Sequence, residues 1–99
     1  MNKVTVLYKH PHDEETFEKY YSETHMPLAV KIPYVDHAEF TKFVPGPDGS
    51  QPLYYRMAEL YFTSDEVMMQ SFGSDDGKAA TSDIPKFATS GFEILIGKV

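Results

Sequence analysis

The chain has 99 residues, 41% of them hydrophobic and 24% charged, the balance of one globular domain spanning 1–99 and too little for two separate cores. Nine Lys and Arg against 15 Asp and Glu give a formal charge of −6, which repels a phosphate backbone and argues against a nucleic-acid partner. Cysteine is absent, so disulfides, thiol nucleophiles and thiolate metal sites are excluded together, as suits a reducing cytoplasm.

No apolar run approaches the roughly 18 residues of a membrane span. The N-terminus leads straight into an alternating segment rather than a signal peptide. Val4 to Lys9 reads as a strand, with Val4, Val6 and Tyr8 on one face and Thr5, Leu7 and Lys9 on the other. His10-Pro11-His12-Asp13 ends it, since Pro11 offers no ladder donor and holds His10 extended. Asp13 is placed as an N-cap, with Glu14 and Glu15 in the first turn where the helix dipole favours them. Phe17, Tyr20, Tyr21 and Thr24 then recur at helical spacing, so a helix is predicted over about 13–24. Pro27 predicts a break or kink, followed by a short turn through Leu28, Ala29 and Ile32.

Val35 to Val44 reads as a second strand and Leu53 to Phe62 as a third, joined by the turn-rich segment 45–52. In the third strand Tyr54, Arg56, Ala58, Leu60 and Phe62 share one face, opposite Tyr55, Met57, Glu59 and Tyr61. One of Arg56 and Glu59 must be partly enclosed and so needs a charged partner, in a dimer interface or in a site. Thr63-Ser64-Asp65-Glu66 is a strong helix start, carrying a second helix to about Gly73. Ser74-Asp75-Asp76-Gly77 reads as its breaker, with one more turn at Lys78 to Thr81. Phe92 to Ile96 is the last strand.

The order strand, helix, strand, strand, helix, strand is the ferredoxin-like split βαβ arrangement: an α+β fold with a four-stranded antiparallel sheet and helices on one face. Every strand places apolar residues on both faces, so the uncovered face is expected to meet a second copy in a homodimer.

Given that topology, the segment Tyr21-Ser22-Glu23-Thr24-His25-Met26-Pro27-Leu28-Ala29-Val30-Lys31-Ile32-Pro33 resembles the EthD family, small proteins of the dimeric α+β barrel superfamily. Tyr8-Lys9-His10-Pro11 before the first helix fits the same resemblance, and Gly91-Phe92-Glu93 fits it more loosely. The resemblance implies paired sheets forming a barrel between two chains, with a cavity between helices and sheet in each. The family takes its name from ethyl tert-butyl ether degradation. Similar proteins include dehydratases and decarboxylases of aromatic polyketides, and the wider superfamily holds isomerases and cofactor-free monooxygenases. A shared fold leaves the reaction open.

His25 is the candidate general acid or base, because an imidazole titrates near neutral pH. Tyr21, four residues earlier, lies on the same helical face and supplies a phenol that can donate to an oxyanion, with Phe17 as an apolar floor. Tyr20 stands about 100° away on a helix and is assigned to core or interface. Tyr8, Leu28, Tyr54 and Tyr61 are further candidates for the wall of a hydrophobic small-molecule pocket, with Tyr55 beside them. A structural His25, bonded to a carbonyl at the helix break, is the competing reading. His10, His12, His25 and His37 lack the carboxylates or thiolates that would complete a metal centre, and no cofactor is expected. Three functions stay open: a cofactor-free enzyme acting on an aromatic or hydrophobic carbonyl compound, a non-catalytic binding protein, and an accessory subunit of an oxygenase.

Overall fold

Alternation of side chains makes the sheet two-faced. In the computed structural model, which describes residues 1–99, Asn2, Val4, Val6 and Tyr8 of β1 (Asn2–Tyr8) are buried and the residues between them are half-buried. β2 (His37–Lys42), β3 (Arg56–Phe62) and β4 (Phe92–Lys98) complete one antiparallel sheet in the order β2-β3-β1-β4. Residues opposite one another share a face, so Val6 with Ala58 and Ile94, and Val4 with Leu60 and Ile96, form the surface that the helices cover. Phe40 joins it opposite Ala58.

The helices are α1 (Glu14–Tyr20), a π-helical turn (Tyr21–His25), α2 (Met26–Ala29), α3 (Asp65–Gly73) and α4 (Asp75–Phe87). Phe17, Tyr21, Met68, Ile84 and Phe87 from these helices join Val4, Val6, Tyr8, Ala58, Leu60 and Phe62 in one core. This is the ferredoxin-like α+β fold, with the strands in the expected sequence. No helix is long and apolar enough to cross a membrane.

The capping residues act as their types dictate. Asp13 accepts from the Thr16 amide at 3.2 Å and Ser64 from the Val67 amide at 3.2 Å, each satisfying a free donor of a first turn. Several boundaries differ from expectation, β1 among them, which runs Asn2–Tyr8 rather than 4–9. β2 and β3 are shorter than 35–44 and 53–62, because Tyr55 leaves the alternation: it is buried with its ring 5.2 Å from Phe17, away from Met57 and Tyr61. β4 runs on to Lys98, since β1 pairs with it along its full length. Helix 13–24 does not break at Pro27 but continues to Ala29. Ser74 to Gly77 is no simple breaker either. Ser74 ends α3 and caps α4, its hydroxyl accepting from the Gly77 amide at 3.0 Å, and α4 then runs for 13 residues.

The α3–α4 corner is tight. A Cβ on Gly77 would stand 2.1 Å from the Ser71 carbonyl oxygen and 2.9 Å from the Phe72 Cα. In an unobstructed helix Ala is favoured over Gly by about 1 kcal/mol. Here overlap with backbone reverses the sign, and Gly77→Ala is expected to destabilise the fold by about 2 kcal/mol. Urea unfolding measures this: the midpoint should fall, and an unchanged or raised midpoint would contradict the corner geometry.

Candidate functional site

The site begins with how the first helix passes a proline. Pro27 carries no amide hydrogen and cannot close an ordinary helical turn. The chain widens just before it: the Met26 amide donates to the Tyr21 carbonyl, five residues back, and Tyr21 to His25 form one π-helical turn. Such turns are rare inside helices and concentrate at functional sites. Tyr21 and His25 remain neighbours across it, with ring centroids 5.8 Å apart and planes tilted by 32°.

His25 is 6% exposed and its Nδ1 lies 3.0 Å from Oδ2 of Asp83, a carboxylate on α4 that is itself 4% exposed. The Tyr20 hydroxyl donates to the other carboxylate oxygen of Asp83 at 2.7 Å. A carboxylate only accepts, so Nδ1 carries the hydrogen and Nε2 holds the lone pair, with no protein partner. Burial pushes the His25 imidazole below its ordinary value, and the hydrogen bond and charge of Asp83 oppose this without overcoming it. The ring is neutral at pH 7. Phe87 of α4 packs against it with centroids 4.6 Å apart.

His25 lines a cavity of about 540 Å³ between helices and sheet, within the range of small-molecule sites. Sixteen of its 20 lining residues are hydrophobic, so an unpaired base stands in a largely apolar wall. Tyr8 and Tyr21 line it too, their rings 5.9 Å apart edge to face. The Tyr21 hydroxyl is buried without a hydrogen-bond partner, which costs about 1–3 kcal/mol unless another molecule supplies an acceptor. Burial raises both phenols above their usual range, which keeps them protonated and able to donate. Arg56 stands over the Tyr21 ring, its guanidinium carbon 4.7 Å from the centroid, and is gripped by both carboxylate oxygens of Glu18. Its charge opposes the rise at Tyr21.

The structure brings together His25, Tyr21 and Tyr8 as the sequence suggests. It sets the other candidates apart. Phe17 supports the site from behind, stacked 5.8 Å from Tyr21, and borders a separate cleft of about 200 Å³ beside Tyr20 and Lys86. Leu28 is not among the wall residues, because the π turn rotates the following helix and presents Ala29 instead. Tyr54 precedes β3 and bonds Glu93, while Tyr61 faces away from the helices, stacked 4.0 Å from His37. Arg56 finds its partner in α1 of its own chain rather than in an interface or as a charge within the cavity. Glu59 pairs with Lys3 at 3.2 Å on the open face. His10 ties down the 45–52 loop, donating through Nε2 to the Pro52 carbonyl at 2.7 Å and accepting from Gln51. No three His, Asp or Glu side chains group as a metal site.

Asp83 and Phe87 are the residues that sequence reasoning missed; Tyr20 packs against the core as expected, and what the sequence did not show is its bond to Asp83. A usable signal exists. Gly77, Ala80, Ile84 and Phe87 recur at helical spacing with Asp83 on the same buried face, and a carboxylate there needs a donor.

The tautomer and the direction of the shift can be tested together. Nitrogen–proton correlation NMR should show His25 as the neutral Nδ1–H form at pH 7, protonating below the ordinary histidine value of about 6.5. Asp83→Asn removes the charge that favours imidazolium and should move that midpoint lower still. An Nε2–H tautomer, or a midpoint that rises in Asp83→Asn, overturns the assignment. Stability carries the same sign. Between about pH 6.5 and the lower folded midpoint the unfolded chain binds the extra proton, so stability present above that window is lost as pH falls through it. His25→Gln should remove this part of the decline.

Comparison with known proteins agrees with this architecture. Residues 9–91 match the EthD domain. An uncharacterised 11.0 kDa protein from the thcB-thcC intergenic region of Rhodococcus erythropolis is 37% identical, the match covering 96% of this chain and 91% of that one. The crystal structure of an ethyl tert-butyl ether degradation (EthD) family protein from Bacillus halodurans superposes with a TM-score of 0.91 at 35% identity, covering 100% of this chain and 98% of the other. An EthD-like protein from Ralstonia eutropha shares the fold at a TM-score of 0.74 and 21% identity, covering 99% and 90%. The alternating strands, the Tyr21–His25 helix and its proline, and the whole-length match to these relatives lead to one assignment: the chain belongs to the EthD family.

Proposed function

We propose that the protein binds an aromatic or other hydrophobic carbonyl compound in the helix–sheet cavity and moves a proton on it using its own side chains, in a dehydration or isomerisation. The observation that supports this is the bonding of His25. Its Nδ1 is committed to a buried carboxylate while its neutral Nε2 is left unpaired on a ring that lines an apolar cavity. His25 takes the proton through Nε2, and Asp83 stabilises the imidazolium that forms, as the carboxylate of a hydrolytic triad does for its histidine. Tyr21 serves as donor to the oxygen on which charge develops. Tyr20, through Asp83, holds the base in position. The same cavity also favours a second reading, a carrier of that ligand, because 16 of its 20 wall residues are apolar and supply binding without chemistry.

Mutant kinetics separate the two. With a ligand recovered from the purified protein and identified by mass spectrometry, His25→Ala should lower turnover by about 10²–10⁴-fold. Affinity should change only a few-fold. Tyr20→Phe should lower turnover less and shift its pH profile, because it acts through Asp83. Turnover that survives intact in His25→Ala, or its absence from the wild-type protein, would leave the carrier.

The protein is proposed to act in the cytoplasm as a homodimer joined through its open sheet faces, completing a dimeric α+β barrel. Leu7, Met57, Tyr61 and Leu95 lie on the face that no helix covers, and Leu95 of the edge strand β4 is 55% exposed. Sedimentation equilibrium at micromolar concentration should give twice the chain mass of 11.3 kDa. A monomer under those conditions contradicts the assembly.

A further inference from the structure

The cavity is electrostatically unlike the chain that builds it. The chain has 15 Asp and Glu and a charge of −6, yet none of the 20 lining residues is acidic. One lining residue is a cation, Lys78 of α4, and its ammonium is not engaged in an ion pair within the chain. Lys78 and Ser82 are four residues apart on α4, both exposed and both lining the cavity, so they stand one above the other on a single helix face. The Ser82 hydroxyl has no partner within the chain, while that of its neighbour Thr81 is spent on the Gly77 carbonyl. An ammonium and a free hydroxyl at helical spacing form a two-donor anchor for an oxyanion at the cavity rim.

The inner end of the cavity has the opposite character. Behind His25 lies the Asp83 carboxylate, 3.0 Å from the ring, so a negative group placed against the imidazole would meet a like charge. A ligand with a neutral polar end and an anionic end is therefore oriented. The neutral end goes inward to His25 and Tyr21, and the anion stays at the rim.

We propose that the ligand is an apolar organic anion, held at its charged end by Lys78 and Ser82 with its neutral polar end toward His25. This rests on the ligand-binding reading of the cavity given above and narrows it to one class of compound.

Two fluorescent probes with a common aromatic skeleton test it: 8-anilinonaphthalene-1-sulfonate, an anion, and N-phenyl-1-naphthylamine, which is neutral. The wild-type protein should bind the sulfonate more tightly than the amine. Lys78→Gln should weaken the sulfonate by about three- to tenfold, the range for one partly exposed charge-assisted contact, and leave the amine unchanged. Lys78→Arg should restore the sulfonate, and added salt should weaken it in the wild type but not in Lys78→Gln. If both probes bind equally and Lys78→Gln alters neither, the anion anchor is wrong while the cavity remains a binding site. If neither probe binds, the ligand-binding reading itself falls and this inference falls with it.

Discussion

The Asp83 carboxylate is the joint on which both the helical layer and the site depend. Its two oxygens are taken by two residues of the first helix, Tyr20 and His25, separated from it by 63 and 58 positions in the chain. A buried carboxylate without donors costs several kcal/mol, and removing one partner from a buried charged network costs about 3–5 kcal/mol. Satisfaction of Asp83 therefore fixes how α4 sits against the π turn. The same bonds fix the imidazole. With Nδ1–H committed, the ring has one tautomer and one orientation, and Nε2 is left free on a residue of the cavity wall. Docking of two helices and orientation of the imidazole are one physical event.

The proline does the complementary work. A helix that ended at Thr24 would leave His25 in a connecting segment, free to bond a nearby carbonyl as a structural histidine does. Widening the turn instead keeps residues 14–29 helical and delivers His25 to the helix–helix contact with α4. It also puts Tyr20 and Tyr21 on different duties. The about 100° between adjacent helix positions holds. Tyr20 faces α4 and reaches Asp83, while Tyr21 faces the sheet, under Arg56 and against Tyr8. Both tyrosines serve the histidine, one through a carboxylate and one beside it.

Strand alternation made the sheet legible in the sequence, because Val4, Val6 and Tyr8 obey a period of two. Tyr21 and His25 were legible as a pair because four residues on a helix are local. Asp83 was not, for two reasons. Its partners are distant in sequence, and the start of the helix that carries it reads as a broken turn, since Ser74-Asp75-Asp76-Gly77 looks like a loop. That stretch is also an N-cap with an acidic first turn, and Gly77 serves close packing against Ser71 rather than chain reversal. Turn-forming residues and capping residues are the same residues, so composition alone cannot separate the two uses. Tyr54 and Tyr61 failed as wall residues for different reasons. Tyr54 falls outside β3 altogether, whereas Tyr61 is a strand aromatic, which suits either face until the register with β1 decides.

The sheet then offers two apolar surfaces, one roofed by helices and one open, and the edge strand β4 belongs to both. Ile94 and Ile96 line the cavity on the helix side, yet they are 43% and 64% exposed, because the helices stop short of the edge. Leu95, between them, faces the other way and is 55% exposed. A second copy that covers β4 would bury Leu95 against the partner sheet and, reaching past the edge, would shield the exposed Ile94 and Ile96 of the cavity wall. Removing water there strengthens each electrostatic contact inside, including that between His25 and Asp83. In such an assembly these three residues would couple the dimer contact to the cavity, since the contact that hides apolar surface would also lower the polarity around His25.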